Sequence, residues 1–417
     1  MKDNNLLILQ TSKENIKVVD NSYNIMESKF DNSKDWRIKN ISDFGVDLSF
    51  SDIPEYKRTK HVHRLHPYLG KFIPQLVEVF LKKHFKENDY ILDPFVGSGT
   101  TLIEANILGI NGIGVELSVF NTLICNVKTR KYDLKKMEFE IRDILNKTQY
   151  FSKALVNNQR KLNKENLSLT TSSKYLNEWF SERALKEILF YRNLIENYHN
   201  QDLLKIILSR AVRSARLIPH YDLARPSKPV KERYWCIKHK RYCEPVNEAL
   251  KFINRYSLDT IKRINEFDNL RTNKQMIVIQ GDSRTIKLPV SRKLDGIFTS
   301  PPYLGLIDYH DQHKYAYELF GFTNNDKREI GPMSNGQGAK AKEEYKKDII
   351  SVLRNAGQYL KDKAKVFIVV NDKNNIYPEI AKESGFMIKD IYHRPVLNRT
   401  ERDNYKFSES IYYLEKI

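Results

Sequence analysis

The sequence predicts an α/β protein: a doubly wound, mostly parallel sheet that carries a helical insertion. Three observations lead there. A unit from Tyr90 to Glu116 reads strand, glycine-rich turn, helix, strand. Later come five apolar, β-branched runs, MIVIQGDSR, LDGIFTSPPY, KVFIVVND, MIKDIYH and SESIYYLEK, spaced by helix-length segments, the pattern of a sheet covered by helices on both faces. Between these two regions, residues 131–275 have helical periodicity and a strongly charged composition.

Taken in order, residues 1–56 are rich in Asn, Asp, Ser and Lys and read as a loosely structured arm or a small peripheral element. From residue 57 a basic, His-containing stretch, KRTKHVHRLHPYLGKF, leads into an apolar-periodic helix near Ile73 to His84. A strand at Tyr90–Leu92 runs into DPFVGSGTT, a helix over Leu102–Leu108 follows, and GIGVE at 112–116 is a second strand ending in an acid. Residues 57–130 thus form one half of the α/β domain and 276–417 the other. In the insertion, stretches such as LNEWFSERALKEILFYRNLIENY carry apolar residues three and four apart. One interruption, Arg225 to Val246, is too rich in Pro, Lys and aromatics for a helix and reads as a basic loop.

With 417 residues, 41% of them hydrophobic, the chain can fill a real core. Its 70 Lys and Arg against 52 Asp and Glu give a formal charge of +18, a field that draws polyanions and makes nucleic acid the first partner to test. The N-terminus has one short apolar patch, and nowhere do about eighteen apolar residues run together, so neither an export signal nor a membrane span is expected. Three cysteines, Cys125, Cys236 and Cys243, are too few for a disulfide framework, which fits a reducing cytoplasm.

In Asp93-Pro94-Phe95-Val96-Gly97-Ser98-Gly99-Thr100-Thr101 the glycines permit a tight turn and let a ligand lie against bare backbone. Asp93 at the strand end can accept from a ligand ammonium, and the amides opening the next helix favour a carboxylate or phosphate. No Lys follows the second glycine and the spacing is not the dinucleotide fingerprint, so an amino-acid-like or nucleoside ligand remains. Glu116, at the end of the next strand, stands where an acid can hold both hydroxyls of a ribose. Asp282 in GDSR can accept from a base amino group or serve as a turn or helix cap.

Thr299-Ser300-Pro301-Pro302-Tyr303 ends the apolar strand LDGIF. Two prolines lock the backbone, remove two N–H groups and leave acceptor carbonyls beside an aromatic ring. The set suits an exocyclic amino group: the Ser300 hydroxyl and the Pro301 carbonyl take its two hydrogens, and Tyr303 offers a face to an extruded base. Alone, the Pro-Pro pair could merely terminate a strand.

These residues resemble the amino-methylating DNA methyltransferases of bacterial restriction-modification systems. The resemblance covers 57–130 and 276–417, roughly half the chain. It implies a Rossmann-like S-adenosylmethionine-dependent fold, with Asp93, Phe95, Gly97, Gly99 and Thr100 around the methionine end of S-adenosyl-L-methionine, Glu116 on its ribose and Asp282 on its adenine. Upstream, HPYLGKFIPQL looks like the segment that closes over the methionine moiety, with Lys71, Phe72, Ile73 and Pro74 as its contacts, the alternative being an ordinary amphipathic helix start. A Ser before Pro-Pro-Tyr is similar to the cytosine-N4 branch, whereas Asp or Asn is more usual for adenine N6. The segment order resembles that in which target recognition lies between the two halves, so 131–275 is expected to read double-stranded DNA. A cognate restriction endonuclease encoded nearby is a second implied partner. A base-amino RNA methyltransferase and an inactive DNA-binding specificity subunit are the rival readings. Carbon-5 chemistry is excluded, because no cysteine has the context of the required nucleophile.

Three lesser signals remain. In SKPVKERYWCIKHKRY, Lys228, Lys231, Arg233, Lys238, Lys240 and Arg241 stand among Tyr234, Trp235 and Tyr242, a mixture suited to phosphate neutralisation and stacking, hence a DNA contact. Cys236, His239 and Cys243 have the spacing of three zinc ligands, but with no fourth nearby in sequence no metal site is assigned. Asp308, Tyr309 and His310 follow the Ser-Pro-Pro-Tyr turn closely enough to line the same cleft, with His310 in a supporting role.

Overall fold

The computed structural model describes residues 37–39, 47–68, 70, 72–157, 169–222, 226–396 and 407–417, all within one compact unit, Arg37–Ile417. Its centre is an eight-stranded sheet. The strands are β1 (Arg37–Lys39), β2 (Tyr90–Asp93), β3 (Asn111–Glu116), β6 (Met276–Gln280), β7 (Leu294–Thr299), β8 (Leu360–Val370), β9 (Phe386–Val396) and β10 (Phe407–Lys416), while β4 (Tyr234–Cys236) and β5 (Arg241–Cys243) form a separate hairpin. The helices are α1 (Glu55–Arg58), α2 (Pro74–His84), α3 (Thr100–Ile107), α4 (Val119–Thr129), α5 (Leu134–Val156), α6 (Lys174–Trp179), α7 (Glu182–Leu194), α8 (Gln201–Ala215), α9 (Leu250–Asp268), α10 (Tyr309–Gln312), α11 (Lys314–Phe320), α12 (Ala339–Gly357) and α13 (Tyr377–Glu383).

The sheet order is β1-β9-β10-β8-β7-β2-β3-β6, parallel except for β10, which runs antiparallel between β8 and β9. Consecutive residues Phe367, Ile368 and Val369 of β8 are fully buried, so helices cover both faces, as the long apolar runs predict. On one side Leu76, Val77, Phe80 and Leu81 of α2 meet Ile91, Phe298, Phe367 and Val369 from the strands. At the edge, β1 lies parallel to β9. Leu48 and Phe50 enter the α2 core, so the end of the arm belongs to this unit. Residues 1–36 and 40–46 lie outside the described residues.

Strand succession reverses between β2 and β7. From β2 the chain proceeds through β3 to β6 on one side and, after returning, from β7 to β8 on the other. Such a reversal opens a crevice at the carboxyl ends of the two central strands. The register Ile91↔Gly296 and Leu92↔Ile297 brings the glycine-rich turn after β2 level with the Ser-Pro-Pro-Tyr turn after β7.

Among the described residues of 131–275 the regular structure is helical, with one exception. The basic stretch read as a loop contains the β4–β5 hairpin, paired at Tyr234↔Cys243, Trp235↔Tyr242 and Cys236↔Arg241. The inserted helices do not make a core of their own: Ile141, Ile188, Ile207 and Ile253 share one cluster with Phe120 and Ile124 of α4 and Tyr315 and Leu319 of α11.

Candidate active site

The carboxyl ends of β2, β3, β6 and β7 surround a cleft of about 860 Å³, part of it open to solvent. Asp93, Phe95, Gly97, Thr100, Glu116, Asp282, Ser300 and Pro302 all line it, so the structure brings together residues up to 209 positions apart (Asp93 to Pro302). Tyr309 and His310 line it too.

Gly97 and Gly99 have φ of +49° and +87°, a region that strains any other residue. A Cβ on Gly97 would come 2.9 Å from the Tyr68 hydroxyl, and one on Gly99 2.7 Å from Cys125 Sγ. Gly99 therefore serves the close approach of α3 to α4, and it is not among the cleft-lining residues. The Gly97 amide donates to Glu116 at 3.0 Å, while the fully buried Lys128 donates to the Ser98 carbonyl at 3.0 Å and clamps the turn from α4.

Glu116 also accepts from the Ser118 amide at 2.8 Å. Burial pushes its carboxyl up to about 7, although the amides of Ser118 and Gly97 and the Asn121 side chain pull the other way. Burial likewise raises Asp93 to about 6, opposed by Thr101, Thr299 and the Phe95 amide. The Thr299 hydroxyl donates to Asp93 at 2.6 Å. A buried carboxyl, Asp93, and a half-buried one, Glu116, both held high, give one cleft two acceptors suited to donors or a cation.

Asp282 differs. Arg284 grips both its oxygens, at 2.9 and 2.7 Å, and this outweighs burial, holding the carboxyl below its ordinary range. Asp282 lies on the cleft wall as the sequence predicts, but its side chain is committed to Arg284 and, through that residue, to Asp348.

In the Ser-Pro-Pro-Tyr turn, Ser300 and Pro302 face the cleft and Pro301 is buried beside it. The Pro302 carbonyl accepts from Tyr345 at 2.8 Å, and the Tyr303 hydroxyl donates to Glu409 of β10 at 2.8 Å. Glu409 pairs with Arg394 of β9 at 3.3 Å, both buried. The ring of Tyr303 is thus tethered from the far end of the chain.

The segment before α2 does reach the cleft, with Tyr68, Gly70 and Phe72 in its lining. Ile73 and Pro74 are instead the N-cap and first residue of α2, outside the lining, and Lys71 lies outside the described residues. Tyr68 stacks on Tyr309 at 5.9 Å between ring centroids. His310 contacts Glu329 through Nδ1 and accepts from the Asn325 amide through Nε2 at 3.2 Å, which places its proton on Nδ1 and makes it a brace for the loop. Sequence reasoning missed Tyr68, Lys128 and Glu409. The first lay within HPYLGKF and was legible there; the other two act from distant elements and leave no local signal.

The predicted DNA contacts Lys228, Lys231, Arg233, Lys238, Lys240 and Arg241 lie on the β4–β5 hairpin and the irregular segment leading into it, outside the cleft lining. Trp235 and Tyr242 are exposed there, and Arg233 lies over the Tyr242 ring at 5.2 Å.

Comparison with known proteins fixes the family. Residues 2–124 match the family model for N6/N4 methyltransferases, described as DNA methylase. The chain is 41% identical to the type II methyltransferase M.MjaII of Methanocaldococcus jannaschii, over 93% of this chain and 86% of that protein. It belongs to the amino-methylating DNA methyltransferases of restriction-modification type. M.MvaI of Kocuria varians is a further relative of this methyltransferase, 25% identical over 64% of this chain and 57% of the other. Among solved structures, TrmN of Thermus thermophilus aligns over 84% of this chain and 50% of its own, at 12% identity and a TM-score of 0.32.

The methyltransferase uses S-adenosylmethionine, and the cleft fits that molecule. Ser98 lines it with a buried hydroxyl that has no hydrogen-bond partner among the described residues. Asp93 and Glu116 offer acceptors suited to an ammonium and a ribose diol, and Gly97 leaves bare backbone between them. Among the described residues no helix is long and apolar enough to cross a membrane.

Proposed function

We propose that the methyltransferase acts on the exocyclic N4 amino group of cytosine at a specific site in double-stranded DNA, protecting host DNA beside a cognate endonuclease. The observation that carries this reading is the Thr299–Asp93 hydrogen bond, which seats Ser300 at the edge of the cofactor cleft.

When bound, S-adenosylmethionine supplies an electrophilic methyl group. The chain's own task is to deliver a nucleophilic nitrogen. The Ser300 hydroxyl and the Pro301 carbonyl would accept the two amino hydrogens, which draws the nitrogen lone pair out of conjugation with the ring; as the new N–C bond forms the methyl's bond to the donor sulfur would break, the electron pair staying on sulfur, and one amino proton would pass by way of these acceptors to solvent. Tyr303, held by Glu409, gives the flipped base a stacking face worth about 1–3 kcal/mol, offsetting part of the few kcal/mol that extrusion costs. His310, braced by Glu329 and the Asn325 amide, is placed to support the loop rather than to move protons.

The serine of Ser300-Pro301-Pro302-Tyr303 supports cytosine N4 over adenine N6, because it matches the N4 branch of the family. The helices of 131–275 and the basic β4–β5 hairpin are the region we assign to reading DNA, the hairpin cations neutralising phosphates while Trp235 and Tyr242 stack. Nucleoside analysis of DNA treated with the purified protein and S-adenosylmethionine tests the base. N4-methylcytosine is the expected product, and N6-methyladenine would overturn the assignment. Methylation-sensitive sequencing of the same DNA gives the target site.

A further inference from the structure

We propose that His220, Cys236, His239 and Cys243 form a tetrahedral structural zinc site that staples the β4–β5 hairpin. In sequence only three of these stand close together. The fold supplies the fourth: the chain leaving α8 brings His220 under the hairpin, and one ligand atom from each residue lies within 4.8 Å of every other.

The geometry suits the metal. Cys243 Sγ is 3.5 Å from His239 Nδ1, Cys236 Sγ is 3.9 Å from His220 Nδ1, and the two imidazole centroids are 4.8 Å apart. Zinc bonds of about 2.0–2.3 Å in a tetrahedron separate ligand atoms by about 3.3–3.8 Å, so small rotations about the side-chain bonds close the set. Tyr234 holds the remote member in place, its hydroxyl accepting from the His220 amide at 3.1 Å and lying 3.1 Å from His220 Nδ1, a contact that the metal bond would replace.

The chemistry of the donors selects the ion. Two sulfurs and two imidazoles with no carboxylate favour zinc over magnesium or calcium. Both cysteines are free thiols and buried, at 0% and 7% exposure. Binding expels their two protons to solvent, and two thiolates with one zinc(II) make a neutral centre. The surrounding lysines and arginines thus keep their full positive field.

The hairpin also needs such a staple. It has three residue pairs, stands apart from the main sheet and turns Trp235, Ile237 and Tyr242 outward at 53%, 65% and 59% exposure. A lone two-stranded hairpin is marginal in water, and here the two cysteines are the fully inward side chains of its strands.

The full chain, produced in zinc-supplemented medium and purified under reducing conditions, tests the site by elemental analysis. One equivalent of zinc per chain is expected, falling at least tenfold in Cys243→Ser and His220→Ala, while His220→Cys, which keeps four ligands, retains it. S-adenosylmethionine binding measured alongside shows that the rest of each variant is folded. Cobalt(II) added to chelator-treated wild-type protein should give the visible absorption of a tetrahedral thiolate complex. A metal-free wild-type protein, a Cys236–Cys243 disulfide in mass spectrometry, or undiminished zinc in both ligand-removing variants would overturn the proposal.

Discussion

Thr299 donates its hydroxyl to Asp93 across 206 positions of sequence, at 2.6 Å, and so joins the end of β7 to the end of β2 at the point where the sheet reverses. Thr299→Val removes the donor but keeps the shape. A hydrogen bond to a charged group contributes about 1.5–3 kcal/mol, so cofactor affinity should fall about tenfold or more by titration calorimetry. Unchanged affinity would show that the bond has no part in seating the cofactor.

The raised carboxyls make cofactor binding depend on pH. Glu116 at about 7 and Asp93 at about 6 both stand above their ordinary values of 4.5 and 3.8, so between those limits the free folded protein holds protons that the unfolded chain has released. The stability of the free protein should therefore rise as pH falls from about 8 towards 5. Cofactor affinity should move the opposite way, because ionised acceptors are the better partners for a diol or an ammonium. Glu116→Gln should flatten most of both slopes in a thermal-shift and calorimetric series across that range.

Within the Ser-Pro-Pro-Tyr turn, Tyr303→Ala should nearly abolish methyl transfer while leaving cofactor affinity within about twofold, since the loss is one base-stacking face of about 1–3 kcal/mol together with its positioning. Tyr303→Phe keeps the ring and loses the hydroxyl that reaches Glu409, so it should retain much more activity. Radiolabelled methyl transfer to DNA distinguishes the two, and full activity in Tyr303→Ala would contradict the base-holding role.

Lys128 is buried against the glycine turn with its ammonium on the Ser98 carbonyl. Lys128→Met preserves bulk but strands that acceptor, at a cost of about 1–3 kcal/mol in urea denaturation. Cofactor affinity should drop with it, because the same bond fixes the turn.

Replacing Lys238, Lys240 and Arg241 by Gln should weaken DNA binding and reduce its salt dependence. If all three meet phosphates, the slope of log K against log salt should shrink by about 3, at about 0.9 per lost contact. An unaltered slope would detach the hairpin from DNA.

Much of this was legible in the sequence because the local signals agreed. The two turns announced themselves through glycines and prolines, whose backbone limits are absolute, and the strands around them through apolar runs of the right length. Glu116 stood at a strand end, where its exposure to a ligand follows from topology. What could not be read depends on partners far apart in the chain. Asp282 was read either as an acceptor for a base amino group or as a turn cap; it lines the cleft, and its pairing with Arg284 is an arrangement that no spacing rule separates from a free acid. His220 precedes Cys236 by sixteen residues with two prolines between, so its return beneath the hairpin is a tertiary fact. The hairpin itself was hidden because its strands are three residues each, too short for alternation to register.

The inserted helices share their apolar interior with α4 and α11. A chimera that exchanges 131–275 for the equivalent stretch of a relative would consequently cut through that shared interior, exposing Phe120 and Ile124 a few residues from the acid at the end of β3. Altering sequence preference by transplanting this stretch thus disturbs the pocket for the methyl donor as well, and point changes on the outer surface are the gentler route.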